Sequence, residues 1–312
     1  MARPLAPRDT FWSQSARNVV APPLGRVSSV ADMWRRLPAL GVIVASLALL
    51  ASSCGGDHNE LILGATTSVQ DSGLLDEIVR SFEGVTDYHV KPSVGGSGEV
   101  LEKARRGELD VVMTHSPADE DKFIADGEGL DRRPVMQNFF LVAGPEADPA
   151  DVRDAVTVSE AFKRISDSRS IFISRGDRSG TNVRELSIWG EAGITPQGQS
   201  WYQESSTGQG QNLIVASDKD AYTLVDSSTF TVFEKKVALR ALLTDTANPN
   251  IYTVIRVASN KHDNVNSAGA IAFAEFVTSP AGQCVIADFG MEEYDKSLFQ
   301  PVGRCPSANV GG

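Results

Sequence analysis

Residues 171–186 read "IFISRGDRSGTNVREL". The run Ile171-Phe172-Ile173 has the apolar, aromatic and β-branched character of a buried strand. Val183, Leu186 and Trp189 then recur every third residue, a helical spacing. Between strand and helix stand Arg175, Asp177, Ser179, Gly180 and Thr181. A strand that runs straight into a polar, glycine-containing turn and then a helix is half of a βαβ unit. Its polar turn falls at the carboxyl end of the strand, where open α/β sheets bind ligands. Arg175-Gly176-Asp177 also matches an integrin motif, but a three-residue match is expected by chance.

The same design occurs twice upstream. "LILGATTSVQDSGLLDEIVRSFE" (61–83) gives a short strand, Thr66-Thr67-Ser68, and a helix with Leu74, Leu75, Ile78, Val79 and Phe82 on one face. "HVKPSVGGSGEVLEKARRGELDVVM" (89–113) gives an extended His89–Val94, the turn Gly95-Gly96-Ser97-Gly98, and a helix over Glu99–Arg106 with Val100, Leu101 and Ala104 inward. A buried strand over Leu109–Met113 follows.

Each such turn is suited to an anion. The first helical turn has backbone N–H groups without intrahelical partners, and the helix dipole adds partial positive charge there. Hydroxyls supply further donors, and glycine lets a ligand approach the backbone. One copy is equally well an ordinary N-cap. Three copies, one with an arginine, favour a shared anion site. Arg175 follows a buried strand and needs a partner; Asp177 is the nearest, or holds its own turn.

Strands alternating with helices predict an α/β fold with mostly parallel sheets covered on both faces. The first two turns precede Ala143-Gly144-Pro145 and the third follows it, so "VAGPEADPADVRD" (142–154) reads as a crossover between two lobes. Further on, "GQGQNLIVASDKDAYTLVD" (208–226) holds a helix over Asn212–Asp218 and a strand over Tyr222–Val225. "NIYTVIRV" (250–257) reads as a strand returning to the first lobe. A helix to about Thr278, a break at Ser279-Pro280 and a helix over Ala281–Phe289 close the chain, with Pro280 at a first helical position. The resulting boundaries are 60–142 plus 250–305 for lobe I and 143–249 for lobe II.

Residues 1–54 have a different character. Arg35-Arg36 leads into the apolar run Ala39–Leu50, which ends in Ala51-Ser52-Ser53-Cys54. A basic pair, about a dozen apolar residues and small residues before a cut form a secretory signal. The run is shorter than the roughly 20 residues that span a bilayer. Small residues before Cys54 match a lipobox, with Cys54 lipidated; a plain signal peptide is the alternative, and Met33 is an alternative start. Removing 1–54 takes 6 of 29 basic and 2 of 40 acidic residues, leaving 23 against 38 and a net charge of −15. Such a balance argues against nucleic acid as partner and gives no pull toward an anionic membrane. The other cysteines, Cys284 and Cys305, lack metal-ligand spacing. An exported compartment permits a disulfide between them, against the alternative of two free thiols.

Residues of about 60–303 resemble the tungstate-binding component of bacterial ABC transporters, within the type II periplasmic binding-protein superfamily. The stretches that carry this are "ATTSVQDSGLLDEI", "EKARRGELDVVMTHSPADEDKF", "DRRPVMQNFFLVAGP", "SRGDRSGTNVRELSIWGEAGI", "GQGQNLIVASDKDAYTLVD" and "FVTSPAGQCVIADFG". Ala65, Asn182 and "VDSSTF" (225–230) depart from the family's usual residues. The resemblance implies a two-lobed clamp that captures a tetrahedral oxyanion, tungstate first and molybdate next, and presents it to a membrane permease driven by an ATPase. The lipobox adds to this a lipoprotein on the outer face of the cytoplasmic membrane; no cofactor is expected, and no metal except as the oxyanion. By motif it assigns anion contacts to Thr66, Thr67, Ser68, Ser97, Arg175, Ser179, Gly180 and Thr181, with Arg175 as counter-charge.

A phosphate-binding protein of the same fold is the main rival reading. A serine hydrolase is another: there is no GxSxG or SxxK, and the four histidines (58, 89, 115, 262) show no catalytic spacing. His115, after the strand in "VVMTHSPAD" (111–119), either borders the cleft or is a satisfied strand-end residue. A ligand-free surface lipoprotein is the third rival.

Overall fold

A computed structural model describes residues 59–306, so the expected leader and Cys54 lie outside the described residues. The chain order is β1 (Glu60–Thr66), α1 (Thr67–Ser72), α2 (Leu74–Glu83), β2 (His89–Gly95), α3 (Ser97–Arg105), β3 (Val111–Thr114), α4 (Pro117–Ala125) and β4 (Gly129–Pro145). There follow α5 (Val158–Ser168), β5 (Phe172–Ser174), α6 (Gly180–Glu191), β6 (Tyr202–Glu204), α7 (Gln209–Asp218), β7 (Thr223–Asp226), α8 (Ser227–Phe233) and β8 (Leu239–Val257). The last elements are α9 (Ser267–Thr278), α10 (Pro280–Asp288), α11 (Met291–Tyr294) and β9 (Gln300–Pro301).

The fold is mixed α/β, with helices flanking sheet. Hydrogen bonding links β2-β1-β3-β8-β4-β7 in that order, with β9 on β4. β1 pairs in parallel with β2 and β3, whereas β8 is antiparallel to both β3 and β4. The β4–β8 ribbon is the longest pairing, from Gly129↔Val257 to Pro145↔Leu239, with four register shifts. β3 joins it at Thr253–Arg256 of β8, and β7 joins at Phe140–Ala143 of β4. The two groups of strands therefore attach toward opposite ends of one ribbon. β5 and β6 pair separately in parallel, and Phe172 bridges to Tyr222 just before β7.

Boundaries expected at 142/143 and 249/250 fall inside β4 and β8, not in loops. The return strand is accordingly longer than the eight residues of "NIYTVIRV": β8 has 19 residues. Its first half alternates too little apolar character to read as strand, and pairing with β4 supplies what local pattern lacks.

The two ends of the ribbon are packed differently. Around β1 the core is largely aliphatic, with Leu61, Leu63, Leu75 and Val111 beside Phe82 and Phe273. Around β5 it is aromatic: Phe162, Phe172, Trp189, Trp201, Tyr202 and Tyr222. Cys284 and Cys305 are joined as a disulfide, tying α10 to the segment after β9.

Two helical readings need correction. The helix expected as one piece after Ser68 is two, broken at Gly73, whose φ of 87° is the left-handed conformation glycine accepts readily. In α6 the buried side is not Val183–Leu186–Trp189: Leu186 is 39% exposed, and Thr181, Asn182, Glu185, Ile188 and Trp189 are buried. A spacing of three drifts around a 3.6-residue helix, and the polar residues of the first turns face inward.

Candidate functional site

The three sequence-identified turns meet. Arg175 on the loop after β5 donates from Nη2 to Thr67 Oγ1 at 3.0 Å. A Cβ placed on Gly96 would stand 3.3 Å from Cα and Cβ of Ser179, and one on Gly180 only 2.5 Å from the His115 carbonyl oxygen. The Gly180 approach requires glycine, and the tight one at Gly96 brings the α3 and α6 starts together. A fourth start belongs with them: Gly210 N, in the first turn of α7, donates to Asp71 Oδ2 at 2.8 Å. "GQGQ" (208–211) carried that signal, a glycine-rich turn before a helix.

Thr66, Ser68, Ser97, Arg175, Ser179, Gly180 and Thr181 are buried, and Thr67 is half-buried. Ser179 caps α6, accepting from Asn182 N at 3.3 Å, although its proton stays available to donate. Thr66, at the corresponding position of α1, makes no cap bond and lies 3.1 Å from Ser68 Oγ. Ser97 Oγ accepts from His115 N at 3.4 Å.

Arg175 is 2% exposed. Beyond Thr67, it donates from Nη1 to Gln209 Oε1 (2.7 Å) and from Nη2 to Asp177 Oδ2 (2.5 Å). Asp177 Oδ1 accepts from Ser179 N at 3.0 Å, so Asp177 both pairs with Arg175 and holds the turn. Two buried donors of the set have no hydrogen-bond partner among the described residues: Arg175 Nε and Thr181 Oγ1. An unpaired buried donor costs about 1–3 kcal/mol, so two on neighbouring turns of the chain point to a ligand rich in acceptors.

Sequence reasoning missed a second layer. Glu185 of α6 accepts from Ser174 Oγ (2.5 Å), Trp189 Nε1 (3.0 Å), Tyr202 Oη (2.9 Å) and Asn182 Nδ2 (3.4 Å). Burial pushes its carboxyl up to about 7, against the pull of those donors. Ser174 Oγ in turn accepts from Gly176 N at 3.2 Å, so Glu185 braces the Arg175 turn from behind. On the other side His115 is held by Asn250 and stacks on Tyr252, ring centroids 4.6 Å apart. Burial pushes its imidazole down to about 4; the Asn250 bond opposes this and Arg175 adds to it. Burial likewise raises the carboxyls of Asp71 and Asp226.

His115 Nε2 lies 3.4 Å from Ser68 Oγ, with Asn250 on Nδ1. The outline is that of a Ser–His–Asn arrangement, a pairing the sequence did not reveal. It is poorly made for hydrolysis: an imidazole held near 4 is a weak general base, and Tyr252 Oη already donates to Ser68 Oγ at 3.0 Å. No group of three or more His, Cys, Asp or Glu among the described residues could hold a metal ion.

Residues 50–281 match the family model described as the PBP superfamily domain. The chain belongs to the PBP superfamily. It is 36% identical over 282 residues to the tungstate-binding protein TupA of Peptoclostridium acidaminophilum, covering 86% of this chain and 98% of that protein. Among solved structures, the tungstate ABC transporter protein of Geobacter sulfurreducens superposes with a TM-score of 0.69 at 37% identity, over 75% of this chain and all of that one. The tungstate-binding protein TupA of Desulfovibrio alaskensis G20 gives 0.66 at 32% identity, over 78% of this chain and 99% of that one.

Proposed function

We propose that this chain is the extracytoplasmic substrate-binding lipoprotein of an ABC transporter and captures a tetrahedral oxyanion, tungstate before molybdate, for delivery to the permease and its ATPase. The observation that carries the reading is the pair of buried, unpartnered donors, Arg175 Nε and Thr181 Oγ1, at the meeting point of four helix starts. The anion takes donors from Thr66, Thr67, Ser68, Ser97, Ser179, Gly180 and Thr181, with Arg175 as counter-charge. Lobe I (60–142 plus 250–305) and lobe II (143–249) close on it by bending at the β4–β8 ribbon. Cys54 carries the lipid.

Tungstate, molybdate and sulfate are fully deprotonated at neutral pH and need only donors. Phosphate keeps a proton and needs an acceptor. The nearby carboxylates are committed elsewhere: Asp177 to Arg175 and Ser179 N, Asp71 to Gly210 N, and Asp226 to Asn138 and Thr229. This supports a proton-free oxyanion, and the names of the relatives support tungstate among those. Calorimetric titration of the lipid-free domain with tungstate, molybdate, sulfate and phosphate tests the reading. Tungstate binds tightest, and Arg175→Ala weakens it about ten- to a hundredfold, one charge-assisted hydrogen bond contributing about 1.5–3 kcal/mol. Lysine rescues only in part, lacking the planar fork. Tightest binding of phosphate, or an unaltered affinity in Arg175→Ala, overturns it.

A further inference from the structure

Behind Ser68 runs a chain of side-chain hydrogen bonds whose polarity is fixed from its far end. Asp226 Oδ1 accepts the Thr229 backbone N–H at 3.0 Å and is therefore an acceptor. Ser228 Oγ commits its own proton to the Leu298 carbonyl at 2.5 Å, leaving only lone pairs. Asn138 meets both of these groups at 2.8 Å, so it must turn Nδ2 toward them. Its Oδ1 then faces β8 and accepts from Asn250 Nδ2 at 2.8 Å, Asn138 and Asn250 being register partners in the ribbon.

With Nδ2 so oriented, Asn250 has two outputs. Its Oδ1 faces His115 Nδ1 at 2.8 Å, which places the imidazole proton on Nδ1 and leaves Nε2 a bare lone pair. Its second Nδ2 proton goes to Tyr252 Oη at 3.1 Å, so Tyr252 gives its own proton onward to Ser68 Oγ at 3.0 Å. Both arms end on Ser68. One lone pair of Ser68 is filled by Tyr252; His115 Nε2, bare of a proton, can only accept from Ser68, and with that proton so placed the 3.1 Å contact has Thr66 Oγ1 as its donor. The single proton of Ser68 is left facing His115 Nε2 across 3.4 Å, a long contact readily exchanged for a better acceptor.

We propose that Tyr252 and His115 are positioning residues that make the Ser68 hydroxyl a one-way donor toward the anion, and so help the site reject an oxyanion that carries a proton. His115 Nε2 holds the Ser68 proton until an anion takes it, and Tyr252 fills a Ser68 lone pair that could otherwise accept a proton from a ligand. The consequence for selectivity rests on the oxyanion reading above; the relay itself does not.

Two measurements test this. In protein labelled with nitrogen-15 histidine, with the His115 ring assigned by its loss in His115→Phe, the nitrogen shifts of the ligand-free protein at pH 7 report a neutral ring with the proton on Nδ1. A proton on Nε2, or a charged ring, overturns the relay. Tyr252→Phe keeps the ring stacked on His115 and frees one Ser68 lone pair. Its phosphate-to-tungstate ratio of Kd falls below that of the wild type by roughly two- to tenfold, the worth of one hydrogen bond. An unchanged ratio overturns the proposal even where the tautomer is as expected. A wild type that takes up neither anion removes the oxyanion reading and leaves the tautomer to decide the relay.

Discussion

His115 and Glu185 stand behind the site on opposite sides, both buried, and burial moves their titrations in opposite senses. The imidazole is pushed down to about 4 and the carboxyl up to about 7. In each case burial favours the neutral form. The difference lies in what that form does for its neighbours. Neutral His115 donates from Nδ1 to Asn250 and offers Nε2 to Ser68, so nothing is left unsatisfied. Glu185 faces four donors, and a proton on it competes with them. A buried base beside hydroxyls is at rest without charge, whereas a buried acid among donors is held between two costs. The aromatic core around β5 supplies two of the donors, Trp189 and Tyr202.

Breaking the acid side should have the largest effect. Glu185→Ala leaves the donors of Trp189, Tyr202, Ser174 and Asn182 unmatched, and denaturant unfolding should register a loss of about 3–5 kcal/mol. A loss under 1 kcal/mol means the cluster is wet or rearranges freely.

Sharpening the comparison takes pH. Glu185 has a folded pKa raised from 4.5 to about 7, so the folded state holds its proton more tightly. Its stabilisation is full below about pH 4.5 and is lost as pH rises through about 7, on the order of 3 kcal/mol in all. Glu185→Gln removes that slope. His115 has a folded pKa lowered from 6.5 to about 4, so its contribution is full above pH 6.5 and is lost as pH falls through about 4. His115→Phe flattens the acid limb and leaves the limb above pH 6.5 unchanged. Unfolding curves for both variants between pH 3.5 and 8 check the two signs separately, and slopes of the same sign in both would refute the contrast.

The smallest effect belongs to a residue of neither kind. Thr181 Oγ1 does not titrate and has no hydrogen-bond partner among the described residues. Thr181→Val should leave thermal stability unchanged or slightly raised and weaken anion affinity about two- to tenfold by calorimetry. A clear loss of stability would make this hydroxyl a structural one.

The three strand–turn–helix segments were legible in the sequence because each is local: a strand end, glycines, hydroxyls and a helix start within a dozen residues. Arg175 with Asp177, the strand–helix alternation and Pro280 at the start of α10 could be read for the same reason. What stayed hidden is non-local. Asn138 and Asn250 look like stray polar residues in two apolar strands, and only the β4–β8 register makes them partners. Nothing local in the sequence sets Glu185 apart from the other polar residues of its helix, and only the fold surrounds it with Ser174, Trp189, Tyr202 and Asn182. The length of β8 depends on β4, more than a hundred residues earlier in the chain.

That wide separation bears on how the molecule folds. Arg175 meets Thr67 across 108 residues, Asp71 meets Gly210 across 139, and Ser68 meets Tyr252 across 184. Contacts so distant along the chain close slowly, because each must overcome the entropy of the loop it spans. The meeting of these turns is therefore completed only when the last long strand has docked, and a chain cut before Asn250 lacks Asn250 and Tyr252, the middle of the polar relay. Under the proposed function the anion binds only the completed site, so added anion stabilises the folded chain against the unfolded one.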